Sequence, residues 1–303
     1  NTNIILTSQV YCGFCEEIKK KIIKNKKINL IYMAETLVMG NALERFLKPE
    51  RIIFGSEKKI KIFLEFKKFK CPVFVLNYKQ AEMIKMAINL YLLTSVSYAN
   101  LLDFYCRQYG FKFSSINQPI RLDKRIGISS YISPSLGISG GHLERDLFSI
   151  IKNSKNILVK NTFNNFKILN KKRINVLIDF FKKIRKTSKF SNTIWIGPSY
   201  KKDSFSILNS PFYHFAKYMK KNNFKLKVYD SYFNLKRNNI KNVLRKIDES
   251  NFKNSILILN YASHNDLNKI IKLANKNILK IIDIEISLNK KTKDKKNIHS
   301  LLN

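Results

Sequence analysis

The sequence predicts an α/β fold: two parallel-sheet domains joined by one long central helix, the first domain incomplete. Three observations carry this. Short Ile/Val/Phe runs alternate with amphipathic, Lys-rich stretches over residues 1–78 and again over 192–303. Between them, residues 80–109 hold no proline or glycine, and Met83, Met86, Leu90, Leu93, Leu101, Leu102 and Tyr105 recur at helical spacing. Finally, the chain opens directly on an apolar strand, without an initiating methionine. The sheet that follows is too small to stand alone, so a first half is expected to be missing.

The first domain should contain strands over 3–7, 28–33, 51–54 and 72–76, read together as a parallel sheet. A Lys-rich helix over 14–25, a short one around Ala42–Leu47 ended by Pro49, and another over 57–66 separate them. The central helix would be about 45 Å long at 1.5 Å per residue, longer than most globular helices and suited to joining domains. After it, residues 108–139 are rich in Gly, Ser and Pro. Helices are expected over 144–155 and 174–184, with 183–191 as a basic linker. The last domain should be a four-stranded parallel sheet over 193–196, 225–229, 255–259 and 278–284. Helices over 212–222, 238–249 and 265–274 would cover it, and the Lys-rich tail after Asn289 should fray.

Composition narrows the function. A chain of 303 residues with 45% hydrophobic content, 22 Phe and 14 Tyr can build real cores and is not disordered. Lys and Arg total 57 against 21 acids, a formal net charge of +36 that favours anionic partners. The lysines are spread along the chain with Asn and Ile, and no nucleic-acid module is visible, so nucleic acid is not the expected partner. No apolar run reaches membrane-spanning length uninterrupted, and no signal peptide is seen. Cys12 and Cys15 have C-x-x-C spacing but no second pair. Cys71 and Cys106 lie in apolar elements and read as structural, and the four histidines are scattered. A reduced, cytoplasmic protein without a metal site is the simplest expectation.

Three local features could carry chemistry. Lys85 and Asn89 lie four apart on one face of the apolar helix, where polar groups need partners. The competing reading is that Lys85 snorkels to water and Asn89 caps a neighbour. Glu35 follows a strand end, the edge at which open α/β sheets bind ligands, though a solvated loop acid would look the same. Gly137, Gly140 and Gly141 precede a helix, and such a loop can hold an anion or admit a ligand to the backbone. It is not G-x-G-x-x-G, and Asp146 would sit in the helix's first turn.

Taken in order, these segments resemble the UDP-glucose/GDP-mannose dehydrogenases, which oxidise a nucleotide sugar to a uronic acid with NAD. The family's S-T-V-P strand end is matched by Ser8-Gln9-Val10-Tyr11. Its P-E-F-L-R-E-G-x-A is matched by the run from Ala34 through Glu35, Leu37 and Met39 to Ala42, followed by Arg45, Phe46, Pro49, Arg51, Ile52 and Gly55. Lys85 and Asn89 match its K-x-x-x-N, and Arg125-Ile126-Gly127 its R-I-G. Its G-G-S-C-F-P-K-D is matched more loosely by the run from Gly140 to Asp146, which puts Gly141 on the serine and His142 on the cysteine. In the last domain Tyr200, Lys201, Ser210 and Pro211 echo a further motif.

The resemblance implies two Rossmann-like domains. Residues 1–78 would be the second half of an NAD-binding domain, 79–190 a central dimerisation and catalytic region, and 191–303 a domain binding the UDP-sugar. It implies NAD as cofactor, a nucleotide sugar as substrate, and a homodimer built on the central helix. By the same resemblance Lys85, Asn89, His142, Asp146 and Glu35 are catalytic candidates. Leu37, Arg125, Gly141, Tyr200 and Lys201 are substrate-binding candidates, with Arg125 reaching a partner subunit's site. Gln9, Glu35 and Arg145 are placed at the cofactor. The departures matter as much. The family's cysteine captures the aldehyde for a second hydride transfer, and His142 stands in its place. Met39 replaces a glutamate, Gln9 a threonine, and Leu208-Asn209 an Arg-Glu pair. No G-x-G-x-x-G is present in the chain, so it is expected to bind NAD poorly and to be inactive alone.

Overall fold

The structure, a computed structural model, describes residues 2–23, 27–34, 42–58, 61–188, 190, 192–201, 206–231, 240–284, 288 and 297–302. It divides into two compact units, residues 1–91 and 92–303. The central helix contributes its beginning to the first and its remainder to the second.

Unit 1 runs β1 (Thr2–Leu6), α1 (Phe14–Lys21), β2 (Ile28–Met33), α2 (Ala42–Leu47), β3 (Ile52–Gly55), α3 (Ile62–Glu65), β4 (Val73–Leu76) and the start of α4 (Tyr78–Gln108). The strands lie in sequence order. β1 pairs with β2, and β3 with β4, in parallel as the sequence suggested. β2 and β3 run antiparallel through Tyr32–Gly55 and Met33–Phe54, because the chain re-enters the sheet at the end where β2 leaves it. Alternate strand residues feed two cores. One joins Leu30, Tyr32 and Ile53 to Cys15, Tyr78 and Ala81; the other stacks Phe54 on Phe63 beside Ile31 and Ile52. Tyr78 at the start of α4 donates to Leu30 O at 2.7 Å. A Cβ on Gly55 would lie 2.9 Å from the Ala81 side chain, so glycine lets α4 sit close on the sheet.

An acid missed by the sequence reading organises the entry to α1. Glu82, sealed within unit 1, accepts from the N–H groups of Gly13 at 2.5 Å and Cys15 at 2.7 Å. It thereby caps a helix whose own N-cap residue, Gly13, has no side chain to do so. Glu82→Ala should leave two N–H groups without an acceptor and cost about 1–3 kcal/mol, read as a lower urea midpoint. Burial beside that carboxylate pushes the Cys15 thiol up, which fits a structural cysteine better than a redox one.

Unit 2 continues with the rest of α4, then α5 (Ser114–Leu122), α6 (Gly141–Asn153), α7 (Ile157–Thr187), β5 (Asn192–Ile196), α8 (Pro211–Lys221), β6 (Leu226–Tyr229), α9 (Glu249–Phe252), β7 (Ser255–Leu259), α10 (His264–Asn275), β8 (Leu279–Asp283) and β9 (Ile298–Ser300). Its sheet is parallel throughout, in the order β6-β5-β7-β8-β9. Trp195, Ile256, Ile258 and Ile282 face α7 and α8; Ile194, Ile196, Leu257 and Leu259 face α9 and α10. This is the doubly wound arrangement, with the strand order reversing between β5 and β7.

Several expectations are corrected here. Among the described residues the sheet of unit 2 has five strands, because Ile298–Ser300 of the tail pairs with β8 and Leu301 and Leu302 are buried. Residues 240–248 form no helix. Asn242 sits at φ 57°, and this segment bridges Val243 to Val228 on the edge of β6. Residues 183–187 are not a linker but the end of α7, which starts far earlier than expected. Its cap, Asn156, accepts from Leu158 and Val159 N–H, but the Asn/Lys-rich first half of the helix hides the apolar periodicity.

Candidate functional site

Among the described residues of unit 1, Asn89 is buried on α4 and its amide lies 3.5 Å from Gln9 Oε1, in the loop that leaves the carboxyl end of β1. Lys85 is half-buried one turn earlier on the same helix. Two of the expected site residues therefore meet. Glu35 and Leu37 lie outside the described residues.

The pyrophosphate of a dinucleotide needs free N–H groups at a helix N-terminus and a glycine-rich turn. In unit 1 no such turn occurs among the described residues, and the N–H groups of Gly13 and Cys15 at the entry to α1 are taken by Glu82. The described residues of unit 1 do not fit that half of NAD.

Unit 2 contains a cavity of about 490 Å³. Three loops wall it: residues 129–139 between α5 and α6, the segment after β5, and the segment after β7. The last two leave the carboxyl ends of the very strands between which the order reverses, where doubly wound sheets bind their ligands. Asn260 ties them together, its amide donating to Gly197 O at 3.0 Å and Ser199 O at 3.2 Å. Gly197 has φ 72°, and a Cβ there would lie 2.3 Å from Tyr261 O, so a side chain is excluded. Gly140 has the same use: a Cβ would lie 2.9 Å from the Tyr200 ring.

The charged lining residues are Arg121 and Lys201, and no acid lines the cavity among the described residues. Arg121 is partly spent on structure, donating to Ile128 O and Ser133 Oγ, each at 2.9 Å. Lys201 is exposed. Tyr200 and Tyr261 supply aromatic faces, and Ser129, Ser130, Ser133 and Ser135 supply hydroxyls. The Ser130 hydroxyl is sealed from solvent with no hydrogen-bond partner among the described residues. A cationic, hydroxyl-rich, aromatic cleft with no carboxylate among its described lining residues suits an anion joined to a flat ring and a polyol.

Of the expected substrate-binding residues, Tyr200 and Lys201 line this cavity. Gly141 lies next to it in sequence at the start of α6, and Arg125 is solvent-facing, paired with Asp123 at 2.6 Å. Arg145 links its neighbours in the first turns of α6: its guanidinium lies 3.5 Å from His142 Nδ1 and 3.6 Å from Asp146 Oδ1. Asp146 is buried, whereas His142 is exposed. Arg121, Asn260 and Tyr261 were missed. The strand-end rule could have found the last two from the apolar run SILIL that precedes them; nothing local marks Arg121.

Residues 79–172 match the central domain of the UDP-glucose/GDP-mannose dehydrogenase family. Through this segment the chain is similar to that family. A UDP-glucose 6-dehydrogenase of Campylobacter jejuni is 32% identical over 161 residues, 51% of this chain and 40% of that protein. One from Rickettsia bellii is 27% identical over 222 residues, 69% of this chain and 50% of that protein. The chain thus spans half or less of the length of these dehydrogenase relatives. The structure of a UDP-glucose dehydrogenase from Pyrobaculum islandicum superposes with a TM-score of 0.79 at 17% identity, covering 99% of this chain and 70% of the other. That likeness establishes the α/β fold with its long central helix. No described helix is long and apolar enough to cross a membrane.

Proposed function

We propose that this dehydrogenase-family chain binds a nucleotide sugar, a UDP- or GDP-hexose, in the cavity of unit 2. The observation that carries the reading is the cavity's place at the β5/β7 reversal, with Lys201 and Arg121 as its charges and no acid opposing them among the described residues. Lys201 serves the diphosphate, the tyrosine faces serve the base, and the serine hydroxyls and loop backbone serve the sugars. Gly141, Arg125 and Leu37 complete the substrate set. The reaction of the lineage is oxidation of the hexose 6-hydroxyl toward the uronic acid, as in making polysaccharide precursors, with NAD as the hydride acceptor. Because the described residues of unit 1 do not fit the pyrophosphate of NAD, we route no step through it, although Gln9, Glu35 and Arg145 remain our cofactor-side assignments.

Within that reaction the chain's own groups divide as follows. Lys85 stabilises oxyanion character at the reacting carbon, with Asn89 held beside it by Gln9. Asp146 and Glu35 hold and move protons and water. His142 stands where a thiolate nucleophile is needed. An imidazole forms a weak adduct with an aldehyde, and its acyl derivative is labile, so the second oxidation is impaired. The alternative reading is a non-catalytic nucleotide-sugar-binding or dimeric scaffold, favoured by this same histidine. Four free thiols fit a cytoplasmic setting for either. Incubation with NAD and a panel of UDP- and GDP-sugars separates the two. We expect sugar-nucleotide binding without NADH formation. NADH with uronic acid would overturn the impairment, and failure of UDP to bind would overturn the reading itself.

We assign a homodimer to the central helix. Tyr98, Leu101 and Tyr105 lie along one face of α4, with Tyr109 just past its end, and all four are exposed at 47–66%. Placing aspartate at both Leu101 and Tyr105 should shift the light-scattering mass from dimer to monomer. A wild-type monomer at micromolar concentration would contradict the assignment.

A further inference from the structure

The wall of the cavity from Ser135 to Gly140 is held from behind by side chains that do not line it. Asn100 on α4 accepts from Ser135 N–H at 2.7 Å, and Arg173 on α7 donates to Ser135 O at 2.8 Å. Asn170, also on α7, treats Ile138 as a neighbouring strand would: its Oδ1 accepts from Ile138 N–H and its Nδ2 donates to Ile138 O at 3.3 Å. Gly137, at φ 117°, closes the loop onto Asn170, and a Cβ there would lie 2.7 Å from Asn170 Oδ1. The same Nδ2 donates to Glu144 Oε1 at 3.4 Å, and the other oxygen of Glu144 accepts from the Asn209 amide. Asn209 lies two residues before Pro211, which lines the cavity from the β5 side. A chain of hydrogen bonds therefore runs Ile138–Asn170–Glu144–Asn209, joining one wall to the other behind the lining. Burial raises the Glu144 carboxyl above its ordinary value, and the hydrogen bond from Asn209 opposes that shift.

We propose that Asn170 and Glu144 are positioning residues for the nucleotide-sugar cavity, fixing the spacing of its two walls without touching the ligand. This rests on the cavity being the nucleotide-sugar site. Without the clamp the Ser135–Gly140 loop samples more conformations, and a ligand must bear the cost of ordering it.

The test exploits the direction of one hydrogen bond. Asn170→Asp keeps an acceptor for Ile138 N–H but loses the donor to Glu144 and to Ile138 O, and sets two carboxylates together. UDP affinity should fall about tenfold or more by calorimetry, and amide exchange across 135–140 should accelerate. Adding Glu144→Gln reverses the bond: the introduced glutamine amide can donate to the introduced carboxylate on α7 and still accept from Asn209. The double variant should recover part of the affinity and of the slow exchange, the bond to Ile138 O remaining lost. A role confined to global stability would show no such rescue. Unchanged exchange in N170D, or a double variant as weak and as fast-exchanging as N170D, would overturn the proposal. If wild-type protein fails to bind UDP but the exchange pattern follows prediction, the clamp stands and the assignment of the cavity to nucleotides falls.

Discussion

Asp103→Ala is expected to cost about 3–5 kcal/mol of folding stability, the scale for stripping one partner from a buried ion pair. Asp103 and Arg173 are both fully buried in unit 2. The Asp103 carboxylate accepts from Arg173 Nη2 and Arg107 Nε, each at 2.9 Å, and from Phe113 N–H at 3.3 Å. The Arg173 guanidinium also donates to the Ser135 carbonyl and, at 3.5 Å, to that of Asn100. Burial pulls the arginine's pKa down while Asp103 pushes it back up. Arginine stays protonated in proteins, so without Asp103 the charge remains in a dry site with neutral carbonyls for company. Arg107→Ala is the comparison. Its side chain is 29% exposed, so it should cost about 1 kcal/mol. Urea denaturation of the two variants measures both. A D103A cost below about 1 kcal/mol would mean that the buried charge is relieved in another way.

Gly197→Ala should be the most damaging small substitution near the cavity. Alanine at φ 72° costs about 1–2 kcal/mol in backbone strain alone. The new methyl would also lie 2.3 Å from Tyr261 O and 2.6 Å from Tyr261 N, against backbone that cannot rotate away. The strand end of β7 must then move, carrying Asn260 and Tyr261 with it. We expect a total cost of about 3 kcal/mol or more and loss of UDP binding at concentrations that saturate the wild type. Gly127→Ala isolates the strain, since Gly127 has φ 85° and nothing within 4 Å of a Cβ. Equal stability losses in the two variants would show that the approach of Tyr261 is unimportant.

The alternation of apolar runs and helices was legible because strand and helix periods differ, and the long α4 was legible because nothing in it breaks a helix. What escaped were elements whose signal is not periodic. The strand Ile298–Ser300 is three residues in a Lys-rich tail, and it is specified by pairing with β8 and by the burial of Leu301 and Leu302. The expected helix after residue 238 gives way to a bridge onto β6, a tertiary preference that outweighs local propensity. The antiparallel pairing of β2 with β3 leaves no mark in either strand's composition. Tyr200 and Lys201, which line the cavity of unit 2, were singled out through resemblance, and Asn89, buried in unit 1, through its isolation on an apolar face. Glu82 was equally isolated and was overlooked: a buried acid needs a donor, and its donors are backbone groups that a sequence does not display.

The central claim is that the cleft at the β5/β7 strand ends takes the nucleotide of a nucleotide sugar. Calorimetric titration of the 303-residue chain with UDP, beside its Lys201→Ala variant, tests this most directly. The account predicts saturable one-site binding, weakened by salt and reduced about tenfold in the variant, as expected for loss of a charge-assisted contact to phosphate. Folded wild-type protein that binds no UDP at millimolar concentration, or a variant that binds it equally well, would contradict it.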